Sequence, residues 1–505
     1  MILSDELLTS LACRRRGLLV AFLSGVSLVW AFAPYELPWL APLSVATLLL
    51  CWERAEPGQA ARSGLAYGIG MFVAGSYWLY VSLNILGGLW PPFALLLMLV
   101  LVLLAALFLL ACGWLTVRLS PLGGWQRWLL VFPAVWTLLE WSRGWMVTGF
   151  PYLSLGYGQV ETSLGLLAPL TGVYGISWIV ALISGLLVAC LRAAQPGRVA
   201  SVAAIATVVF ISLTLQNISW TQDSGRDFRV TLVQGAISQE RKWLPEQLEP
   251  TLQLYRELSM AVEGQDLIVW PEAAIPALPF EVTDYVSELH AELVKRDTQL
   301  FAGILNYELD SGRYLNSLWA LGAEPGMYYK RHLVMFGEYF PLPDFAKRWL
   351  RIMNLPSESI AMGADDQPLL VAKGIPVAVT ICYEIAFGAE QLHFLPEAQL
   401  LVNVSNDAWF GDTVAPHQHL QMGQMRALET GRYLLRATNT GITAIVDPKG
   451  RVVERIPQFE PGVIRATVRP FSGATPYVRF GNWPVVTTAV FLLAVFLFAG
   501  LRNKA

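Results

Sequence analysis

The second half of this 505-residue chain holds three side chains that together could run covalent acyl chemistry: Glu272, Lys330 and Cys382. A thiol attacks a carbonyl efficiently only as thiolate, so a cysteine of ordinary pKa, ~8.5, needs a base or a positive charge beside it. A carboxylate can take the proton, and a lysine next to the forming oxyanion can stabilise a tetrahedral intermediate. Glu338, in Phe336-Gly337-Glu338-Tyr339, and Glu384 could orient the lysine or assist the proton transfer. Each residue alone has a plainer explanation. A cysteine after a buried strand is usually a small core residue, a lone Glu or Lys a solvated charge, and a second carboxylate half of a structural ion pair. Cys382 is the only cysteine of the polar region, since Cys13, Cys51, Cys112 and Cys190 fall in or beside hydrophobic segments. Its coincidence with an acid and an amine at equivalent positions favours chemistry.

Those positions are strand ends. The apolar run 266–270 leads into Pro271-Glu272, the run 376–381 leads into Cys382-Tyr383-Glu384, and Lys330 follows a strand and turn at 315–326. Runs at 228–233, 266–270, 299–304, 315–321, 376–382, 400–404 and 443–446 read as strands, several apolar on both faces. Amphipathic patterns at 245–262, 282–296 and 417–431 read as helices alternating with them. That predicts an α/β domain over 217–480 with its sheet covered by helices and its reactive groups at strand ends.

The rest of the chain is membrane-like: 55% of residues are hydrophobic and 14% charged. Apolar stretches near 17–34, 38–52, 64–86, 91–116, 128–141, 164–190 and 199–215 precede the polar domain and one near 484–501 follows it, which predicts seven spans and then one. The domains expected are a bundle over 1–216, the polar domain over 217–480 and a terminal span with tail over 481–505. With the N-terminus in the cytoplasm, Arg14, Arg15, Arg16, Arg54, Arg62, Arg118, Arg127, Arg192 and Arg198 lie inside and only Arg143 lies in an outside loop. Odd parity then exports the polar domain, and Arg502 and Lys504 return to the inside. Of ionisable groups in the spans only Glu140 stands out, which argues against a transporter. A net charge of −3 gives no attraction to nucleic acid, and no phosphate-cradling loop signals ATP use.

The motifs Trp270-Pro271-Glu272, YKRHLVMFGEYFP at 329–341, ICYE at 381–384 and NVSNDAWFG at 403–411 resemble the nitrilase superfamily, and within it the membrane-embedded apolipoprotein N-acyltransferases. The resemblance implies a polytopic α-helical membrane bundle plus an α/β nitrilase-like αββα sandwich domain. It implies Glu272 as general base, Lys330 as stabiliser and Cys382 as nucleophile, with support from Trp243, Asn316, Glu338, Tyr383, Glu384 and Trp409. Two departures flank the site. The usual Gln-Gly-Asn-Ile-Pro-Gln reads Gln234-Gly235-Ala236-Ile237-Ser238-Gln239, and the proline common in the His-Leu-Val-Pro-Phe stretch is Met335.

The resemblance further implies a glycerophospholipid acyl donor, typically phosphatidylethanolamine, and as acceptor the α-amino group of a diacylglyceryl-cysteine at an apolipoprotein N-terminus. It places the chain in a bacterial inner membrane, the catalytic domain facing the periplasm, as a monomer without cofactor. An ester donor passing through a thioester to an amide needs no ATP, so ping-pong transfer fits the missing nucleotide site. In the segment 333–355, Phe336, Phe340, Leu342, Phe345, Trp349, Leu350, Ile352 and Met353 interleave with Lys347, Arg348 and Arg351, a pattern suited to the bilayer interface or to an ordinary packed helix. His417 and His419 lack further ligands for a metal site. Two rivals stand beside this reading: a membrane-tethered amidase using the same triad with water as acceptor, and a catalytically silent scaffold.

Overall fold

A computed structural model of the chain describes residues 14–120, 124–261, 263–308, 312–335, 337–339 and 360–502. Of the segment 333–355 expected at the interface, Phe336 and residues 340–355 lie outside these residues. Two compact units account for the chain: the described parts of Met1–Trp220, Phe410–Gln421 and Thr475–Ala505 form one, Thr221–Trp409 with Met422–Ala474 the other.

In the first unit the apolar sequence becomes helices α1 (Arg14–Leu28), α2 (Leu40–Trp52), α3 (Pro57–Gly75), α4 (Pro91–Leu119), α5 (Phe132–Arg143), α6 (Ala168–Arg192) and α7 (Gln195–Thr214), and the terminal helix Trp483–Arg502. Helix thus occupies each of the expected apolar stretches. Among the described residues, length and composition suffice for crossing a membrane in three cases, Pro91–Leu119, Ser163–Arg192 and Gln195–Asn217, with a fourth if Pro57–Gly75 and Trp78–Leu86 make one span bent by 51°. Other apolar elements are shorter: the 13-residue α2 is only ~20 Å long against a ~30 Å hydrocarbon core. The bend sits at Gly75-Ser76, a pair that commonly kinks helices. The carbonyl of Gly75 accepts from Trp78 Nε1 at 3.2 Å and from Gln418 Nε2 at 3.3 Å.

Small residues let α3 approach its neighbours. A Cβ on Gly25 would lie 2.1 Å from the Tyr67 carbonyl oxygen, and one on Gly64 2.2 Å from that of Leu109. Arg143, the last residue of α5, is buried. Its guanidinium donates to the carbonyls of Phe150 and Tyr152, while Glu140 accepts from the Leu155 amide at 2.9 Å. These charges fold the 150–155 segment, whose backbone polar groups have no water to turn to.

Besides a short antiparallel pair of Gln222–Asp223 with Phe471–Ser472, the second unit holds two six-stranded sheets. Its strands are β1 (Phe228–Gln234), β2 (Leu267–Val269), β3 (Gln299–Glu308), β4 (Arg313–Leu321), β5 (Gly326–Tyr329), β6 (Leu370–Ala372), β7 (Ile375–Ile381), β8 (Leu400–Ser405), β9 (Leu434–Thr438), β10 (Thr443–Val446), β11 (Val452–Ile456) and β12 (Gly462–Val468). The first sheet runs β12-β1-β2-β3-β4-β5 and the second β11-β10-β9-β8-β7-β6, with parallel pairs at the centre of each. Helices α8 (Pro245–Met260) and α9 (Thr283–Lys295) cover the first sheet. Leu252, Tyr255, Val286, Leu289 and Leu293, spaced three or four residues apart on each helix, pack against Ile268, Trp270, Leu300 and Ala302. On the second sheet lies helix α10 (Ala415–Thr430), where Gly423 admits Leu434. The order is αββα.

Five strands of the two large sheets escape the hydrophobic pattern: β5, β6, β9, β11 and β12. The case of β9 is instructive, because Arg436 interrupts an otherwise central strand yet is fully buried and paired.

Candidate active site

Glu272 stands just past β2 on a loop fastened to β3, where the Trp270 amide donates to the Phe301 carbonyl at 2.8 Å and the Ile275 amide to that of Gly303 at 3.0 Å. The loop crosses β3 so closely that a Cβ on Gly303 would lie 2.3 Å from the Pro271 oxygen and 2.7 Å from Glu272 Cα. Ala273 adopts the left-handed region, φ 48°. The carboxylate is thereby held between two donors: Asn316 Nδ2 reaches Oε1 at 2.7 Å and the Asn406 amide reaches Oε2 at 2.7 Å.

Lys330 follows β5, its amide donating to the Asn316 carbonyl at 2.8 Å. The ammonium is 1% exposed, lies 2.8 Å from Glu338 Oε1 and from Oε2, and is 3.9 Å from Glu272 Oε1. Burial pulls its pKa down, but the carboxylates of Glu338 and Glu272 outweigh that and raise it, so the side chain stays charged. Glu338 is fixed in turn by the Val334 amide at 2.8 Å and by Asn316 Nδ2 at 3.2 Å.

Cys382 is the first residue beyond β7, in the left-handed region at φ 53°, and opens the turn Cys382–Ala386. A non-glycine residue held there stores strain, as reactive groups at strand-to-helix elbows do. Burial pushes the thiol pKa up, the Glu272 charge adds to this, and Lys330 and a hydrogen bond with Ser405 oppose it. The charges of Glu272 and Lys330 thus both bear on the half-buried thiol.

The supporting residues divide. Asn316 and Glu338 touch the acid and the amine directly. Glu384 sits behind the cluster: Oε1 accepts from the amides of Arg331 at 2.7 Å and His332 at 3.1 Å, Oε2 from the amide of Ile381 at 2.7 Å, and Tyr328 Oη donates to both. Burial pushes its pKa up against the pull of these amides and of Lys330. Tyr383 packs edge-on against Phe387 at 4.9 Å. Trp243 and Trp409 are half-exposed aromatics, 46% and 42%, the first next to Lys242 and the second within the turn Asp407–Phe410.

Sequence reasoning missed Lys242, whose buried Nζ donates to the Glu272 carbonyl at 3.1 Å. Burial lowers its pKa to about 8 against the pull of Glu272. Also missed were Gly303, the amide of Asn406, and a buried group at Ser405, Asp407 and Arg436. The signal for Ser405 and Asp407 was the motif NVSNDAWFG at 403–411, which closes an apolar strand, whereas Arg436 carried none.

A family profile described as "Apolipoprotein N-acyltransferase N-terminal domain" matches residues 24–186, and one described as "Carbon-nitrogen hydrolase" matches residues 229–477. Proteins named apolipoprotein N-acyltransferase from Methylococcus capsulatus and Nitrosomonas europaea are each 42% identical, over 97% of this chain and of the former and over 96% of this chain and of the latter. The chain belongs to the apolipoprotein N-acyltransferase family. A third relative of that name, from Pseudomonas putida, is 39% identical over 97% of this chain and 98% of its own length. The alignment therefore runs through both units of this family member and leaves no large segment outside.

Proposed function

We propose that this chain transfers an acyl group from a glycerophospholipid, through a thioester on Cys382, to the α-amino group of an N-terminal diacylglyceryl-cysteine, giving a triacylated lipoprotein. The observation that carries the reading is the near-full-length identity to proteins named apolipoprotein N-acyltransferase. The clustering of Glu272, Lys330 and Cys382 supports the chemical roles.

In this mechanism Cys382 Sγ attacks the ester carbonyl while Glu272 takes the thiol proton. Lys330, kept charged by Glu338, stabilises the oxyanion. Collapse breaks the ester C–O bond, and the proton on Glu272 passes to the departing lysophospholipid oxygen. The amine then attacks the thioester, gives up a proton through Glu272, and expels the thiolate, which is reprotonated. Both bonds exchanged are activated acyl bonds, so no nucleotide is consumed. Asn316 and the Asn406 amide hold the carboxylate for both half-reactions, and Glu384 and Tyr383 shape the elbow. Trp243 and Trp409 line the approach, with phosphatidylethanolamine as donor and a monomer as the working unit.

We place the catalytic domain, 217–480, on the periplasmic side of a bacterial inner membrane, because the basic residues of the helical part collect in alternate connections as the positive-inside rule requires. The test uses purified full-length protein and acyl-labelled phospholipid. A hydroxylamine-labile label on the Cys382 peptide, passed on to an added diacylated lipopeptide, is the expected result. Label lost to water with the peptide untouched would establish the amidase-type reading instead, and peptide acylation without label on Cys382 would refute the covalent route.

A further inference from the structure

Beneath the elbow lies a buried polar group that the reaction scheme above does not use. Arg436, on β9, has no exposed surface and pairs with Asp407, also fully buried, at 2.7 Å from Nη2 to Oδ2. The same guanidinium donates through Nη1 to Asn403 Oδ1. Two chains lead from it to the nucleophile. Through the first, Asn403 Nδ2 donates to Thr380 Oγ1 at 3.0 Å and to the Cys382 carbonyl at 3.4 Å. Through the second, Asp407 Oδ1 accepts from Ser405 Oγ at 2.6 Å, and β7 and β8 run in parallel with Ile381 against Val404, so that Cys382 and Ser405 follow at matching positions of neighbouring strands.

A buried ion pair of this kind contributes little net stability, because desolvation consumes most of the Coulombic gain. A hydrophobic strand centre would serve the fold as well, so specificity of position is the better reason for it. The hydroxyl of Ser405 has one proton and two possible acceptors. At rest the proton goes to Asp407, which leaves the serine oxygen to accept the S–H of Cys382. Once the thiol proton has left for Glu272, the sulfur carries a charge and competes for the serine proton. Asp407 can release it, since Arg436 still balances its charge.

We propose that Ser405 is a positioning residue for the nucleophile, accepting the Cys382 S–H at rest and turning its own proton to the sulfur when the thiolate forms, with Asp407 and Arg436 fixing the two settings. This rests on Cys382 being the reactive thiol. No bond to oxygen breaks in the turn: the sulfur proton travels to Glu272, and the serine proton only changes its acceptor.

The measurement is the rate of Cys382 alkylation by iodoacetamide against pH, followed on the Cys382 peptide in full-length detergent-solubilised protein without lipid. Losing a hydrogen bond to the charged sulfur should slow Ser405→Ala about tenfold at each pH below the thiol midpoint, with Ser405→Thr close to wild type. A Ser405→Ala profile superimposed on wild type overturns the proposal. Should the alanine variant not fold, the infrared S–H stretch of wild type minus Cys382→Ala decides. A band shifted to lower frequency, as for a donating thiol, is expected, and an unshifted band overturns the proposal. Absence of an acyl label on wild-type Cys382, with the Ser405→Ala slowing intact, would remove the covalent reading and leave the hydrogen-bond chain standing.

Discussion

Glu384 Oε1 accepts the Arg331 amide at 2.7 Å while its other oxygen accepts the Ile381 amide at 2.7 Å, so one carboxylate clamps the segments that carry Lys330 and Cys382. Neither residue could be spaced from the other by sheet geometry alone, since Lys330 leaves the edge strand of the first sheet and Cys382 a strand of the second. Removing the clamp leaves buried amides without acceptors, each costing ~1–3 kcal/mol. Glu384→Ala should therefore lower the thermal midpoint by several degrees and abolish acylation of Cys382. Glu384→Gln keeps one acceptor oxygen and should retain the fold with acylation reduced tenfold or more. Equal midpoints for the alanine variant and wild type would show that the clamp is idle.

Lys242 separates stability from activity. Its pKa of about 8 against an ordinary 10.5 corresponds to a burial penalty of ~3 kcal/mol for the charged form. Because the folded pKa lies below the unfolded one, the penalty is complete below pH 8 and is relieved as pH rises from 8 towards 10.5. Lys242→Met removes the penalty and forfeits the bond to the Glu272 carbonyl, worth ~2 kcal/mol. The variant should be slightly more stable than wild type at pH 7 and less stable at pH 10, with acyl transfer reduced at both. Thermal melts at the two pH values check the change of sign.

Gly303 is required by the close passage of the Glu272 loop. With the Pro271 oxygen 2.3 Å from the site of a Cβ, Gly303→Ala must push residues 271–273 off the strand. Fixed backbone atoms do not yield as a flexible side-chain tip would, so the cost falls on the position of the carboxylate. The expected outcome is a fall in kcat of a hundredfold or so, as ångström-scale misplacement causes, with only modest loss of stability. Unchanged kcat would mean that the loop shifts without carrying Glu272 along.

Ala236 holds φ 51°, a conformation costing an L residue with a Cβ ~1–2 kcal/mol and suited to asparagine or glycine. Asparagine is the residue usual at this position in the family that the chain resembles. Its amide donates to the Asn439 carbonyl at 2.9 Å, and the next amide to Asn439 Oδ1 at 3.1 Å, which pins the turn. Ala236→Asn should raise stability by about 1 kcal/mol with activity near wild type. A denaturation midpoint at or below that of wild type would contradict the strain.

By itself the sequence determined what short-range physics controls. Apolar runs became helices and central strands, because burial on every face is written directly into residue type, and the acid, amine and thiol were visible as polar residues closing such runs. The tertiary structure decided what depends on residues distant in the chain. Edge strands such as β6 and β11 carry weak patterns because one side meets solvent, and β9 hides behind an arginine whose buried charge is met by Asp407 and Asn403. Lys242 carries no local signal, since nothing in the neighbouring sequence shows that its ammonium reaches the Glu272 carbonyl. The same holds for Gly303 and Ser405: a glycine or a serine in a strand is ordinary until a second segment crosses it, and which segment crosses is settled by packing.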